Sequence, residues 1–136
     1  MSQLDYEVLV FDTRQEVSTL TQNTYAHSVK VVEDYQEVGA LIPFPQLTCV
    51  LVMTTDFASD IRALLGIVFL PFPFISVMGS RAKIATIFGQ LQQAGVSESL
   101  LSCLYAPVGL PIGSHTPEEI AISIAAQILQ ERDVWL

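Results

Sequence analysis

Bases are scarce in this chain of 136 residues: six Lys and Arg stand against 14 Asp and Glu, for a formal net charge of -8. Nucleic acid and anionic membrane surfaces both require a basic field, so neither is expected as a partner. Histidine occurs twice, as His27 and His115, far apart and with no cysteine near either, so no metal site is expected. The two cysteines, Cys49 and Cys103, fall in a strand-like and a helix-like apolar run and read as buried free thiols rather than a bridge. The longest apolar stretch, Leu64 to Gly79, is shorter than the roughly 18 residues a spanning helix needs and is broken by Pro71 and Pro73. No membrane segment is expected. The opening Met-Ser-Gln-Leu-Asp-Tyr-Glu lacks a basic region followed by an apolar core, so it does not read as a secretory signal, and a cytoplasmic address is the expectation. Also missing are a Gly-x-Ser-x-Gly elbow, a Cys-His pair, a P-loop and a Gly-x-Gly-x-x-Gly turn. With no nucleophile marked, the sequence reads as a protein that binds rather than catalyses, with no catalytic residues.

Apolar residues are plentiful. They make up 51% of the chain against 15% charged, the composition of a globular protein, and the length suits one domain spanning residues 1–136. Some of that apolar surface is expected to meet another protein.

Short apolar runs alternate with helical patterns. Tyr6 to Asp12, Ser28 to Val32, Thr48 to Met53 and Phe74 to Met78 read as strands. Thr13 to Ala26 is polar and unperiodic, a loop or ragged helix. Asp34 can cap a short helix that ends before Pro43-Phe44-Pro45, and a second helical pattern runs from Ala58 to Leu65. Ile84, Ile87, Phe88 and Leu91 form a helical stripe that Gly95 terminates. Ser97 can cap a helix through Leu104, and Ala106 to Ser114 is a structured loop. Thr116-Pro117-Glu118-Glu119 is a capping box that starts a helix running to about Arg132. The pattern predicts an α/β fold: a mostly parallel, Rossmann-like sheet with helices on both faces.

Ligands of such sheets collect at the carboxyl ends of the strands. Three groups of polar residues fall there. Gly79-Ser80-Arg81 offers close backbone approach, a hydroxyl, helix amides and a guanidinium, which together suit a phosphate, although Ser80 can equally be a helix cap and Arg81 a solvated base. Asp12 with Arg14 is placed like the strand-end acid that binds ribose hydroxyls in dinucleotide folds, or is a simple turn pair. Thr54, Asp56 and Asp60 follow the third strand. The two acids, four apart, can share a helical face as paired carboxylates or metal ligands, or be a cap plus a solvated acid.

Read in order, Phe11-Asp12-Thr13-Arg14, Met53-Thr54-Thr55-Asp56 with Asp60, Val77-Met78-Gly79-Ser80-Arg81-Ala82-Lys83, Ala94-Gly95-Val96-Ser97, Ala106-Pro107-Val108-Gly109-Leu110-Pro111-Ile112-Gly113 and Thr116-Pro117-Glu118-Glu119-Ile120-Ala121 resemble the C-terminal Rossmann-like domain of the XdhC/CoxI family, the xanthine dehydrogenase accessory factors. The likeness covers residues 4 to 132. It implies a chaperone that binds molybdenum cofactor, protects it during sulfuration and passes it to a molybdenum hydroxylase such as xanthine dehydrogenase. Carried over residue by residue, it makes Asp12, Arg14, Thr54, Asp56, Asp60, Gly79, Ser80, Arg81, Gly113, His115 and Thr116 the candidate cofactor contacts. The family domain begins with a strand and glycine-rich turn upstream of the segment matching Tyr6, preceded by a separate domain with a cysteine-bearing motif. The expectation is that this chain starts after both, incomplete at its N-terminus. It also has Thr55 where the family usually has His.

A sheet without its first strand leaves a vacancy between the strands that start at Tyr6 and Thr48. Either those two pair directly or a second chain covers the gap, so a homodimer or partner-bound domain is expected. The alternative is a degenerate nucleotide-binding or regulatory module without catalytic activity. An NAD(P)-dependent oxidoreductase fits the fold class but lacks both the fingerprint and a proton-transfer pair, so NAD(P) is not the expected cofactor.

Overall fold

Parallel strand pairs supply the frame, as the alternation of apolar runs and helices requires. The computed structural model describes Met1, residues 5–14 and residues 26–135. Strands β1 (Leu9–Asp12) and β2 (Ser28–Val31) pair parallel, with Leu9 opposite Ser28. Strands β3 (Cys49–Val52) and β4 (Phe74–Val77) pair parallel, with Cys49 opposite Phe74. Beyond β4, Tyr105 bridges Ser76 in parallel, its N–H donating to Ile75 O and its carbonyl accepting from Val77 N. The strands starting at Tyr6 and Thr48 do not pair directly: among the described residues, β1–β2 and β3–β4 are separate two-stranded sheets. The Thr13 to Ala26 reading lies mostly outside the described residues.

Helices cover both faces. Asp56 caps α1 (Phe57–Ile67), its carboxylate accepting from Ser59 N at 2.8 Å. Ser80 caps α2 (Arg81–Gln93), whose Ile84, Ile87 and Leu91 are buried while Phe88 packs alongside, as the stripe predicts. Gly95, at φ 95°, follows the end of α2 in the left-handed region that glycine suits. These two helices pack with Val50, Val52, Ile75 and Val77 into one core that also takes in Phe11, Val32 and Val38. The opposite face of β3–β4 packs on α4 (Pro117–Trp135), through Phe74, Ile124 and Ile128, with Tyr105 stacked on Phe74 at 4.3 Å between centroids. The capping box forms as expected: Glu119 N donates to Thr116 Oγ1 at 3.1 Å and the Glu119 carboxylate accepts from the Thr116 and His115 amides. Helix α4 is not apolar-buried all round, since Ile122 is exposed.

The short helix capped by Asp34 forms as expected and ends before Pro43; it is wound as 3₁₀ over Tyr35–Leu41 and lies directly against α1. A Cβ on Gly39 would sit 2.4 Å from Gly66 O, and one on Gly66 would sit 2.2 Å from Gln36 O, so the two backbones meet without side chains between them. Helix α3 (Glu98–Leu101), capped by Ser97, stops at Leu101 rather than Leu104. Cys103 therefore falls in the turn after it and is exposed, whereas Cys49 is partly buried; both are free. No helix among the described residues is long and apolar enough to cross a membrane.

The backbone contact predicts opposite effects of one substitution at two glycines. Gly66→Ala should cost about 2 kcal/mol or more, because the clashing atoms are main chain. Gly89→Ala, in α2 with open space around it, should stabilise by about 0.5–1 kcal/mol. Urea unfolding of both variants measures the contrast.

Candidate functional site

The carboxyl ends of β3 and β4 are joined by a buried ion pair. Asp60, in the first turn of α1, has no solvent exposure. Its Oδ1 accepts from Thr54 N at 2.9 Å and from Thr54 Oγ1 at 2.7 Å. Its Oδ2 has no directed hydrogen bond, but Lys83 Nζ lies 2.8 Å away, so the charge of the ammonium compensates that oxygen. A carboxylate withdrawn from water needs such a partner. Lys83 reaches it across the turn before α2, donating also to Met78 O at 3.5 Å. Gly79 makes the path possible: a Cβ there would sit 2.7 Å from Lys83 Cδ. One carboxylate thus ties the β3–α1 turn to the β4–α2 turn.

Asp56 and Asp60 are therefore not a carboxylate pair. Asp56 is the exposed cap of α1, and Asp60 is fully buried instead of solvated, because its role is to receive Lys83. Hydrogen bonds from the Ser59 amide hold the Asp56 carboxyl below its usual range.

Asp12 ends β1 in a similarly closed arrangement. Arg14 grips it through Nε at 3.1 Å and Nη2 at 2.7 Å and donates its own amide at 2.9 Å, while Tyr35 Oη donates at 3.1 Å. The Arg14 side chain, then its amide and the Tyr35 hydroxyl, hold the Asp12 carboxyl at about 2 against the opposing effect of burial.

The turn Gly79-Ser80-Arg81 is different. Ser80 Oγ accepts from Lys83 N at 3.2 Å, so the cap reading of Ser80 is correct, and its hydroxyl hydrogen is not used in that bond. The amides of Arg81 and Ala82, at the first positions of α2, have no intrahelical acceptor. Arg81 is exposed and makes no ion pair among the described residues. Of the bases that follow β1 and β4, Arg14 and Lys83 are neutralised by Asp12 and Asp60, and Arg81 makes no ion pair among the described residues. Its side chain borders an open cleft of about 400 Å³ with Ile84, Ala85, Ala106 and Pro107. The turn offers a cation, free helix amides and a hydroxyl, and the cleft that Arg81 borders has apolar walls, which together suit a ligand with an anionic group and an apolar body.

Gly113, His115 and Thr116 are not joined to this turn by any described hydrogen bond or ion pair. Gly113 turns the chain at φ 69°, and His115 and Thr116 serve the start of α4. Lys83 and Tyr35 were absent from the sequence-based candidates. The proximity of Lys83 to Arg81 was legible, but its reach back to a buried acid in another helix was not. Burial pushes the Cys49 thiol up to about 11, which does not suit a thiolate nucleophile. No group of three or more His, Cys, Asp or Glu among the described residues is placed to hold a metal ion.

The family model described as the XdhC Rossmann domain matches residues 1–128. An Escherichia coli K12 protein, "Uncharacterized protein YqeB", is 39% identical over 84 residues, which are 62% of this chain and 15% of that protein. A probable xanthine dehydrogenase subunit from Bacillus subtilis 168 is 58% identical over 31 residues, 23% of this chain and 9% of that one. A crystal structure of a xanthine dehydrogenase from Bacillus halodurans superposes with a TM-score of 0.76 at 28% identity, covering 95% of this chain and 36% of that chain. The chain thus spans a small part of each relative's length.

Two outcomes follow from the strand-end pairs. Asp60→Asn should lose about 3 kcal/mol of stability, and Asp60→Asn combined with Lys83→Met should lose less than the two separately, as a double-mutant cycle in urea would measure. Asp12 has a folded pKa of about 2, below the 3.8 of the free group. Its contribution is therefore present above about pH 4 and is lost as pH falls towards 2. The acid limb of the stability profile should be shallower in Asp12→Asn than in the parent.

Proposed function

We propose a function on one premise: this chain belongs to the XdhC Rossmann-domain family. The domain binds molybdenum cofactor at the carboxyl edge of β3 and β4 and serves, without catalysing a reaction itself, as accessory to a molybdenum hydroxylase of the xanthine dehydrogenase type. The observation that carries this reading is the unpaired Arg81 at the start of α2, beside an apolar-walled cleft. The pterin of the cofactor bears a phosphate. Arg81, the free amides of Arg81 and Ala82 and the Ser80 hydroxyl are the groups that would hold it, and Ile84, Ala85, Ala106 and Pro107 the surface for the ring system. The xanthine dehydrogenase names of two relatives support the client. A homodimer or a complex with the client accounts for the apolar residues left on the surface, among them Phe44, Leu47 and Phe69.

A second reading, a nucleotide-fold module that has lost its ligand, is favoured by one observation. Asp12, placed where dinucleotide folds bind ribose, has both oxygens engaged by Arg14 and Tyr35. Titration of the purified protein with molybdenum cofactor and with NADP separates the two. The first reading predicts cofactor binding, weakened about tenfold or more by Arg81→Ala as charge-assisted hydrogen bonds are lost, and no binding of NADP. Binding of neither ligand supports the second.

A further inference from the structure

A row of polar residues on α4 grips the segment that walls the cleft beside Arg81. Ser123, Gln127 and Glu131 are spaced four apart, so they lie in line along one face of the helix. The segment from Tyr105 to Leu110 runs antiparallel to that row. Tyr105 Oη donates to Glu131 Oε2 at 3.2 Å, Gly109 N to Gln127 Oε1 at 2.7 Å, and Leu110 N to the Ser123 carbonyl at 3.2 Å. Ser123 itself is buried, its hydroxyl turned back on Ile120 O at 2.7 Å. Gly109 comes so close to the helix that a Cβ there would sit 2.6 Å from Ser123 Oγ.

On its other side the same segment is held by β4. Tyr105 N donates to Ile75 O at 3.0 Å and Val108 N to Val77 O at 2.9 Å. Ala106 and Pro107 stand between these anchors and face Arg81, Ile84 and Ala85 across the cleft. Pro107 has no N–H of its own, so its place is set by its neighbours. Past Val108 the hold passes to α4, and the shortest bond there is the one from Gly109 to Gln127. We infer that Gln127 is a positioning residue for the ligand of this cleft. From the opposite face of β3–β4 it fixes Gly109, and through Gly109 the separation of the Pro107 wall from Arg81, without lining the cleft itself. Dispersion contacts weaken sharply within about 1 Å of added separation, so a loosened wall gives up the apolar body of a ligand while the Arg81 turn keeps its anionic group. The identity of the ligand rests on the cofactor reading; the hold on the wall does not.

Gln127→Met in the full chain tests this, because it keeps the length of the side chain and removes the acceptor. The Gly109 amide should exchange about tenfold faster or more in this variant. Its affinity for molybdenum cofactor should fall about tenfold, while that for inorganic phosphate, which engages the Arg81 turn alone, stays at the parent's value. Gln127→Glu, with an acceptor at the same reach, should restore the slow exchange of Gly109. Gln130→Met, the same change at an exposed position of α4, should alter none of these readouts. If Gln127→Met does not fold, Tyr105→Phe, which frees the other end of the row and keeps the ring stacked on Phe74, carries the same comparison. A Gly109 amide that exchanges equally fast in parent and variant overturns the assignment, as does a variant that binds cofactor like the parent or loses phosphate and cofactor alike. A parent that binds no cofactor defeats the cofactor reading instead, and the exchange contrast between the Met and Glu variants then decides whether Gln127 holds the wall.

Discussion

A carboxylate with no access to water sets the geometry of the strand ends. Asp60 has no solvent exposure, and Thr54 meets it with two hydrogen bonds and Lys83 with a compensating charge. Meeting that demand fixes several other features. Thr54 must turn back over α1, Lys83 must cross the turn after β4, and residue 79 must lack a Cβ so that the lysine stem can pass. With Lys83 committed to Asp60 and Arg14 to Asp12, Arg81 keeps a free guanidinium at the helix start. The acidic balance of the chain makes that isolated cation distinctive, since any anionic ligand has to be held locally rather than by a general field.

The divided sheet is the second constraint, and it acts on the opposite side of the same edge. Strand β1 carries Asp12, and β3 and β4 carry the Asp60 and Arg81 turns, so the two halves of the edge belong to different sheets. The halves are still held in one hydrophobic core, through Phe11, Val32 and Val38 on one side and Val50, Val52 and Leu64 on the other. The 3₁₀ helix Tyr35–Leu41, packed backbone to backbone on α1 at Gly39 and Gly66, connects them. An ion pair between Asp34 and Arg62 spans the same seam. Side-chain packing therefore joins what hydrogen bonding leaves open.

Much of this was legible in the residues. The four apolar runs became four strands, Asp56, Ser80, Ser97 and Thr116 all capped helices, and the ordered motifs from Phe11 to Ala121 placed the chain in its family before any coordinates. Local signals of this kind depend on neighbours a few residues away. What escaped depends on distant partners. Asp60 looked like a surface acid because nothing near it in sequence requires burial, and its cation lies 23 positions on, in the next helix. Cys103 looked buried because its apolar surroundings hid the early end of α3. The Gly39–Gly66 contact had no sequence signal beyond two glycines, each unremarkable in its own segment. The resemblance left open whether the strands that start at Tyr6 and Thr48 pair directly, and only the pairing of β1 with β2 and of β3 with β4 shows that among the described residues they do not.

The central claim is that an anionic cofactor is held where α2 begins, and mapping its contacts by amide chemical shift addresses that most directly. On addition of molybdenum cofactor to the isotope-labelled protein, the account predicts the largest shifts at the amides from Gly79 to Lys83, with smaller ones along Ala106 and its neighbours at the cleft. No shifts, or shifts confined to the start of α4 around His115 and Thr116, would contradict it.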